Sequence, residues 1–431
     1  MKVCVFGLWH LGSVTAAALA SGGHDVIGLD FDEATIAGLS VGKPPLFEPG
    51  LDELTASGIS EGKLRFTTSP DKALLGADVL WVTFDTPVDD DDNADVDFVT
   101  SRVESLFDHL GHGTLVVLSS QLPVGSVREL ERAYAARGRT EQVTFAASPE
   151  NLRLGKAIEV FTRPDRVVAG IRSHADRARF SHLMAPFTST IDWMTVESAE
   201  MTKHALNAFL AMSVAFANEI AVVCEGVGAD AKEVERALKS DVRIGARAYL
   251  APGGAFAGGT LARDISFLTA LGERQGRELA LIGSVKRSND LHKNWARSRL
   301  GALFPDLVGK RIGVWGLTYK PGTDTLRRST SIELCQWLVG RGALVQAHDP
   351  AIQSLPTGLA REIRMCATAE EAAHDVDALV VATEWPDYRA VAPAELAPGG
   401  SLVVIDANRF LDATFGCATG VRYVTVGRGV V

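Results

Sequence analysis

Lys203 and Asn207 are two polar side chains whose types could serve bond-breaking chemistry. They lie four residues apart in residues 199–210, an apolar segment with helical periodicity, so they share one helix face. A lysine shielded from water can accept a proton, or stabilise developing negative charge, when a hydroxyl group gives up a hydride. An isolated lysine is more often a solvated surface charge, but the apolar flanks favour the chemical interpretation.

A second group of residues suits the binding of a dinucleotide. Gly7 and Gly12 follow an apolar strand and precede a predicted helix that begins near Ser13, and Asp30 closes the next strand. Glycines at a helix N-terminus let backbone N–H groups face a pyrophosphate. An acid at the end of the second strand bonds the ribose hydroxyls and repels a 2′-phosphate, so the motif predicts NAD rather than NADP.

The middle of this motif departs from a complete dinucleotide fingerprint. Trp9 stands where a further glycine would let the backbone approach the phosphates, so either its Cβ and indole point away from a bound cofactor or the cofactor sits slightly off the usual position. His10 and Leu11 complete the predicted cofactor turn. Taken alone, the motif leaves a second interpretation open, a glycine turn in any α/β protein.

Alternating strands and helices must position these residues. The predicted strands are 2–6, 25–30, 79–84, 114–119, 143–147 and 166–169 in the first part of the chain and 310–316, 343–347, 378–383 and 401–406 in the last. Residues 196–300 have few strand signals and a 3.6-residue apolar period. The sequence therefore predicts an α/β fold in which two Rossmann-like domains with parallel sheets, 1–195 and 304–431, are joined by a helical central domain, 196–303.

Composition limits the class of protein and its partners. The chain has 431 residues, 46% of them hydrophobic and 22% charged, which is typical of a soluble globular protein with more than one core. A net charge of -10 argues against a nucleic-acid or acidic-membrane partner. The five cysteines are scattered without metal or disulfide spacing, so we expect no metal site and a reducing, cytoplasmic location.

Two segments bear on targeting and membrane insertion. The N-terminus enters a strand at once, so we expect no signal peptide. Residues 209–224 form the most apolar long segment, but Asn218 and Glu219 interrupt it. The sequence therefore predicts a buried helix rather than a membrane span.

Residues 252–264 read Pro-Gly-Gly-Ala-Phe-Ala-Gly-Gly-Thr-Leu-Ala-Arg-Asp, and this segment resembles the active-site signature of the UDP-glucose/GDP-mannose dehydrogenase family. Members of that family oxidise a sugar alcohol twice, through an aldehyde, to a carboxylate. The resemblance runs from Val3 to about Asp406 and includes residues 148–155, 199–210 and 316–327. It implies an NAD-dependent enzyme that acts on a UDP-sugar, with UDP-glucose as the commonest substrate. It also implies a homodimer that exchanges the helix after Asn218 between subunits.

The same resemblance implies roles for individual residues. Lys203, Asn207 and Asp264, the last with an ordered water, serve the first oxidation at sugar C6, and Glu150 matches the first of two family glutamates. The implied cofactor contacts beyond the glycine turn are Thr86, Gln121 and Arg327. The implied substrate contacts are Arg243 (acting on a neighbouring subunit's substrate), Tyr249, Phe256, Gly258 and Lys320. Residues 383–388 match a family marker that we expect to serve packing.

Several positions besides Trp9 depart from the family pattern, including Arg263, which replaces a lysine, and one residue inserted between Gly245 and Tyr249. Thr260 replaces the cysteine that holds the aldehyde, Leu154 replaces the second glutamate, and Gln121 replaces a threonine on the nicotinamide side. In residues 406–409, Asp-Ala-Asn-Arg, the arginine is displaced by one position from the family's Asp-Gly-Arg-Asn. The cysteine and the glutamate both serve the second oxidation. A threonine hydroxyl is a far weaker acid than a thiol, whose pKa is near ~8.5.

These departures leave several outcomes. The enzyme stops at the 6-aldehyde, oxidises the aldehyde hydrate slowly, or runs another NAD-dependent reaction on a nucleotide sugar. A non-catalytic nucleotide-sugar-binding homologue is the alternative. A 6-phosphogluconate or hydroxyacid dehydrogenase is less favoured, because residues 320–327 and a third domain have no place in such an enzyme.

Overall fold

A computed structural model describes residues 1–89, 94–138, 143–150, 152–257, 259–326, 329–396 and 402–429. The chain divides into two compact units, Met1–Leu206 and Asn207–Val431. The predicted helical central domain and C-terminal domain thus fall largely within one unit. The boundaries of the three predicted domains stay a prediction.

The first unit contains a sheet whose described strands follow the order β3-β2-β1-β4-β5-β6-β7-β8. These strands are β1 (Lys2–Phe6), β2 (Asp25–Leu29), β3 (Leu64–Thr67), β4 (Val79–Val82), β5 (Thr114–Leu118), β6 (Val143–Ala147), β7 (Val167–Gly170) and β8 (Ile191–Met194). All described pairs are parallel except β6 with β7, which is antiparallel. The prediction of a parallel sheet is therefore confirmed apart from this pair.

Helices cover both faces of that sheet. They are α1 (His10–Ser21), α2 (Glu33–Ser40), α3 (Leu51–Ser60), α4 (Pro70–Leu74), α5 (Val96–Ser105), a 3₁₀ helix (Phe107–His109), α6 (Ser126–Ala135), α7 (Ala157–Thr162) and α8 (His174–Met184). Two apolar clusters, one on each face, form the core of the unit. The central strands are buried on both faces, which explains their continuous apolar sequences, such as Leu-Val-Val-Leu in β5.

A long helix, α9 (Val196–Val227), leads from the first unit into the second. The second unit then contains α10 (Ala231–Ser240), α11 (Thr260–Arg274), α12 (Ala280–Lys293), α13 (Trp295–Leu303), α14 (Thr330–Gly340), α15 (Thr357–Ala360), α16 (Ala369–Ala373), a 3₁₀ helix (Pro386–Ala390), α17 (Pro393–Leu396) and α18 (Asp412–Phe415). Its strands are β9 (Arg311–Trp315), β10 (Leu344–His348), β11 (Ile363–Met365), β12 (Ala378–Val381), β13 (Leu402–Asp406) and β14 (Val421–Val424). The described strands pair in parallel, in the order β11-β10-β9-β12-β13-β14.

Helix α9 differs from its prediction. By length and apolar composition alone it is a candidate membrane span, and 44% of its most apolar window is buried. Ala208, Ala211 and Ala221 are buried, whereas Phe209 and Phe216 on another face are 59% and 47% exposed. The prediction of a buried helix therefore holds for one face only.

Candidate active site

The first unit contains a topological switch point between β1 and β4. Strand β1 lies between β2 and β4, so the connections after β1 and after β4 leave in opposite directions along the sheet. In open α/β sheets, ligands bind outside the carboxyl ends of the strands at such a point. Gly7 follows β1 and Thr86 follows β4, so two of the predicted cofactor residues lie at this crevice.

The glycine turn is closely packed. Gly7 has φ +94°, and a Cβ there would lie 2.7 Å from the Phe84 ring. A Cβ at Gly12 would lie 1.8 Å from the Gly7 carbonyl oxygen. No larger residue fits either position without movement, so backbone lines the turn and the first turn of α1 packs directly against it. The helix begins at His10, three residues before the predicted start, because Trp9 already acts as its N-cap and Ser13 N donates to Trp9 O at 2.9 Å.

Trp9, Leu11 and Asp30 of the cofactor motif differ in their surroundings. Trp9 is 50% exposed, and Leu11 is buried. The Asp30 carboxylate accepts hydrogen bonds from Leu8 N at 2.7 Å and from Asp32 N at 3.1 Å. These bonds fix the acid at the end of β2, beside the glycine turn, where a ribose hydroxyl needs an acceptor.

Glu48 is a residue of this site that sequence reasoning missed. It is 2% exposed, and its carboxylate bonds His10 Nε2 at 2.9 Å. It also accepts from Gly155 N and Ala157 N, both at 2.8 Å, so it joins the start of α1 to the segment that precedes α7. An acid between prolines, far along the chain from both partners, gives no local signal of this role.

Two predicted cofactor residues and two predicted catalytic residues lie in the first unit and make contacts with one another there. Thr86 Oγ1 donates to Gln121 O at 2.7 Å. Lys203 Nζ donates to Glu150 O at 2.6 Å and lies 4.0 Å from Glu150 Oε1, with 13% of its side chain exposed. Gln121, Glu150 and Lys203 line one small pocket. The lysine is therefore a largely buried cation rather than a solvated surface charge.

Two further residues of α9 hold this pocket in shape. Glu200 accepts hydrogen bonds from Gly125 N at 2.7 Å and Val127 N at 3.0 Å, at the start of α6. Burial raises the pKa of the Glu200 carboxyl. His204 Nε2 lies 2.9 Å from Leu122 O. Both contacts fasten the loop that carries Gln121 to the helix that carries Lys203, and neither residue was predicted.

In the second unit, Asn207 and Asp264 form a buried pair. Asp264 is fully buried and Asn207 is 5% exposed, and Asn207 Nδ2 donates to Asp264 Oδ2. Thr260 is the first residue of α11, after Gly259 at φ +103°, and its side chain is exposed. Because Thr260 and Asp264 are four residues apart, they lie on one face of α11.

The glycine segment before α11 is fastened by asparagine side chains. Asn218 Oδ1 accepts from Gly253 N at 2.9 Å, and Asn408 Oδ1 accepts from Gly254 N at 2.6 Å. Asn289 bonds both the N–H and the carbonyl of Phe256, at 2.9 and 2.7 Å. The described part of this segment is therefore held in one conformation by side chains from α9, α12 and the end of β13.

A cavity of about 380 Å³ lies at the carboxyl ends of β9, β12 and β13. The switch point of the second sheet falls between β9 and β12, so the cavity occupies the position that the switch-point rule predicts. Lys320, Lys293 and Arg297 line it, as do Thr330 and Ser331 at the N-terminus of α14. Cations and a helix N-terminus suit an anionic ligand such as a diphosphate.

The remaining predicted residues are less enclosed. Arg243 is exposed and pairs with Asp241 at 2.7 Å, which lowers the pKa of that acid. Tyr249 is 59% exposed. Gly258 and Arg327 lie outside the described residues, so the structure gives no position for them.

The displaced arginine of residues 406–409 has a structural contact. Arg409 has φ +58° and pairs with Asp230 at 2.7 Å, with 6% of its side chain exposed. Asn408 lines the cavity in its place. This cavity position thus holds a neutral amide, while the guanidinium joins the C-terminal strands to the start of α10.

The five cysteines are buried in the apolar clusters or lie in a loop. Cys4, Cys224, Cys335 and Cys366 are buried within the apolar clusters, and Cys417 is exposed between α18 and β14. Burial raises the pKa of the Cys335 thiol to about 12. None lines the described cavity beside the glycine segment.

Three domain models of one family match successive parts of the chain. The NAD binding domain of the UDP-glucose/GDP-mannose dehydrogenase family matches residues 1–188, its central domain matches 197–291, and its UDP binding domain matches 313–413. The chain belongs to the UDP-glucose/GDP-mannose dehydrogenase family. It is therefore an NAD-dependent oxidoreductase that acts on a CH–OH group, as the resemblance implied.

Curated relatives and solved structures agree with this assignment to the UDP-glucose/GDP-mannose dehydrogenase family. The chain is 34% identical to the UDP-glucose 6-dehydrogenase of Rhizobium meliloti over 99% of its own length and 100% of the relative's. It is 33% identical to the UDP-glucose 6-dehydrogenase of Pseudomonas aeruginosa over 90% of its own length and 89% of the relative's. A UDP-glucose dehydrogenase structure from Pyrobaculum islandicum superposes with a TM-score of 0.86 at 29% identity, covering 99% of this chain and 97% of that one.

The residues of the first unit fit the NAD of a UDP-glucose/GDP-mannose dehydrogenase. The glycine turn leaves no room for a Cβ, α1 offers its N-terminus, and Asp30 is fixed at the ribose position. When bound, NAD supplies the hydride acceptor for oxidation of an alcohol.

Asp30→Asn is expected to lower the preference for NAD over NADP about tenfold, since it removes the charge that repels a 2′-phosphate. The amide can still accept from Leu8 N, so the turn is retained. The measurement is kcat/KM with each cofactor. Asp32→Asn is the matched control, because Asp32 caps α2 through Thr35 N at 2.8 Å. Equal selectivity in the two variants would contradict the assignment.

Proposed function

We propose that the protein oxidises the C6 hydroxyl of a UDP-hexose resembling UDP-glucose, with NAD, and that it stops at the 6-aldehyde or passes it only slowly. The observation that carries the proposal is the buried Asn207–Asp264 hydrogen bond one helical turn beyond Thr260. It supplies a fixed polar pair for the first oxidation and, at Thr260, no thiol for the second.

The first oxidation removes a hydride from C6 and a proton from its oxygen, leaving the aldehyde. We assign stabilisation of the developing alkoxide to the Lys203 ammonium, which Glu150 O holds in place. Asn207 offers the second N–H of its amide to the same oxygen. The proton passes through a water to the Asp264 carboxylate, which can release it to solvent after the product leaves.

The second oxidation needs addition of a nucleophile to the aldehyde carbon. A thiolate adds readily because a thiol has a pKa near ~8.5, whereas a threonine hydroxyl is a far weaker acid. No histidine or carboxylate of the described residues hydrogen bonds to the Thr260 hydroxyl. Leu154, half-buried, cannot activate water as a glutamate would. Both departures affect only this step.

The substrate assignment rests on the second unit. The cavity at the ends of β9, β12 and β13 is where we propose that the uridine diphosphate binds, with Lys320 facing the phosphates. Phe256 and Gly258 belong to the segment proposed to wrap the sugar, and Arg243 and Tyr249 are proposed to reach it from exposed positions. Arg327 is proposed to contact the NAD phosphates.

A non-catalytic nucleotide-sugar-binding homologue is the second candidate. Trp9 in the glycine turn and Thr260 in the signature favour it. The deciding experiment is incubation of the purified protein with NAD and UDP-glucose, UDP-N-acetylhexosamines or GDP-mannose, followed by NADH absorbance and carbonyl trapping. About one NADH per sugar with a trapped aldehyde supports the proposal. Nucleotide-sugar binding without NADH supports the alternative, and two NADH per sugar with a carboxylate contradicts the truncated reaction.

We also propose that the protein is a cytoplasmic homodimer whose subunits pair through α9. Phe209, Phe216, Val223 and Val227 are 47–74% exposed and recur at intervals of seven, seven and four residues. This heptad spacing is typical of helices that pack along one another. A second copy of α9 would cover the face.

Phe216→Asp is expected to convert the dimer to a monomer, because it places a charge in the centre of that apolar row. Sedimentation velocity at micromolar concentration is the measurement, with circular dichroism to show retained helix. Val308→Asp serves as the control. Val308 is also an apolar residue of the second unit, lies outside α9 and is 69% exposed. A monomeric wild-type protein would refute the dimer.

A further inference from the structure

The 383–388 segment contains a carboxylate, Glu384, that lines the cavity of the second unit. Thr383 Oγ1 donates to Thr318 O at 2.7 Å, Trp385 Nε1 lies 3.1 Å from Asp349 Oδ2, and the Tyr388 ring stacks on Trp315 at 4.7 Å. These contacts join three members of the segment to neighbouring elements of the second unit. Thr383 and Glu384 both line the cavity at the end of β12, and Glu384 brings the negative charge.

Glu384 is held there by the neutral amide at position 408. Asn408 Oδ1 accepts a hydrogen bond from Gly254 N at 2.6 Å. The Asn408 Nδ2 group is therefore the donor to the Glu384 carboxylate. A carboxylate has about four acceptor positions, and this bond uses one of them. Glu384 is half-buried, and this burial raises the pKa of its carboxyl.

A carboxylate disfavours binding of a diphosphate nearby, so Glu384 is expected to face another part of the ligand. Ionised phosphates are acceptors only, so they cannot hydrogen bond to it, and like charges repel. Hydroxyl groups are donors and suit it well. The cavity therefore has two kinds of lining: Lys320, Thr330 and Ser331 suit phosphate, whereas Glu384 with Asn408 suits a hydroxylated, uncharged part of the ligand. Glu333 also lines the cavity, but its side chain is exposed, so solvent screens its charge.

We propose that Glu384 is a specificity residue that accepts a hydrogen bond from a sugar hydroxyl of the bound nucleotide sugar. The inference rests on the proposed function for the presence of a UDP-sugar in this cavity. The hydroxyl belongs either to the ribose or to the hexose, since both offer the same donor chemistry.

Calorimetric titration without NAD tests this. In the wild-type protein, one analogue among 2′-deoxy-UDP, 3′-deoxy-UDP and the monodeoxy UDP-glucoses is expected to bind about tenfold more weakly than its parent, UDP or UDP-glucose. Glu384→Gln is expected to weaken binding of the parent nucleotide by about the same factor. It should leave the affinity for that one analogue unchanged, because the analogue already lacks the hydroxyl. If the variant binds UDP more weakly than wild type does, the contact is to the ribose. If it binds UDP-glucose more weakly but UDP with unchanged affinity, the contact is to the hexose.

Glu395→Gln is the matched control, because Glu395 is an exposed acid on α17 that does not line the cavity, and the charge change is identical. It should leave binding unchanged. Binding by Glu384→Gln that is as tight as wild type, or weakened equally for every analogue, would overturn the proposal. If the variant fails to fold, the wild-type analogue series still decides, because equal binding of every analogue and its parent overturns the proposal as well. A protein that discriminates the analogues yet forms no NADH would instead refute only the proposed oxidation.

Discussion

Thr260→Cys is expected to raise the NADH formed from each UDP-glucose from about one to about two. The new thiol stands at the first position of α11, where the helix N-terminus favours the thiolate. The thiolate adds to the aldehyde, the resulting thiohemiacetal gives up the second hydride, and water cleaves the thioester to the carboxylate. NADH absorbance at completion and mass analysis of the sugar product measure the change.

Leu154, which replaces the second glutamate of the family, allows a further variant to be compared. Thioester cleavage needs an activated water, and Leu154 supplies no base. The double variant Thr260→Cys with Leu154→Glu is therefore expected to turn over faster than the single variant, which accumulates covalently bound sugar. Thr260→Ser is the control, since it keeps a hydroxyl and should leave the product an aldehyde. A wild-type protein that already forms the carboxylate, or a cysteine variant that still stops at one NADH, would count against the role assigned to position 260.

Lys203→Met is expected to lower kcat for the alcohol oxidation about 10²- to 10⁴-fold, which corresponds to about 3 to 5 kcal/mol of transition-state stabilisation. Methionine replaces the apolar stem of the lysine but removes the charge that Glu150 O holds beside the cofactor loop. KM for the UDP-sugar should change little, because the interaction strengthens as the alkoxide develops. Single-turnover NADH formation isolates this step.

A surface lysine provides the comparison for Lys203. Lys72 on α4 is exposed, so Lys72→Met removes an equal charge from the same unit without touching the pocket. Its kcat should stay within about twofold of wild type, since surface substitutions rarely perturb the fold. A Lys203→Met enzyme with near-normal kcat and an unchanged melting temperature would remove the lysine from the mechanism.

The strands show where sequence reasoning succeeds. Every predicted strand occurs, whereas β3, β8, β11 and β14 were not predicted, and these four are the edges of the two described sheets. Central strands are buried on both faces and carry continuous apolar residues. Edge strands are short and alternate with polar residues, as in Leu-Arg-Phe-Thr of β3, so their sequences resemble loops.

The site shows a similar division. The sequence by itself determined the α/β class and the NAD cofactor, because strand–helix alternation, glycines and an acid act through local spacing, and its motifs determined the family by resemblance. The roles of Lys203 and Asn207 in the reaction stay a prediction. Only the tertiary structure revealed Glu48, Glu200 and the Glu384–Asn408 pair. Each of these residues bonds a group distant in the chain, as Glu48 does with Gly155, and such a pairing arises from packing of the sheets and helices rather than from any local pattern.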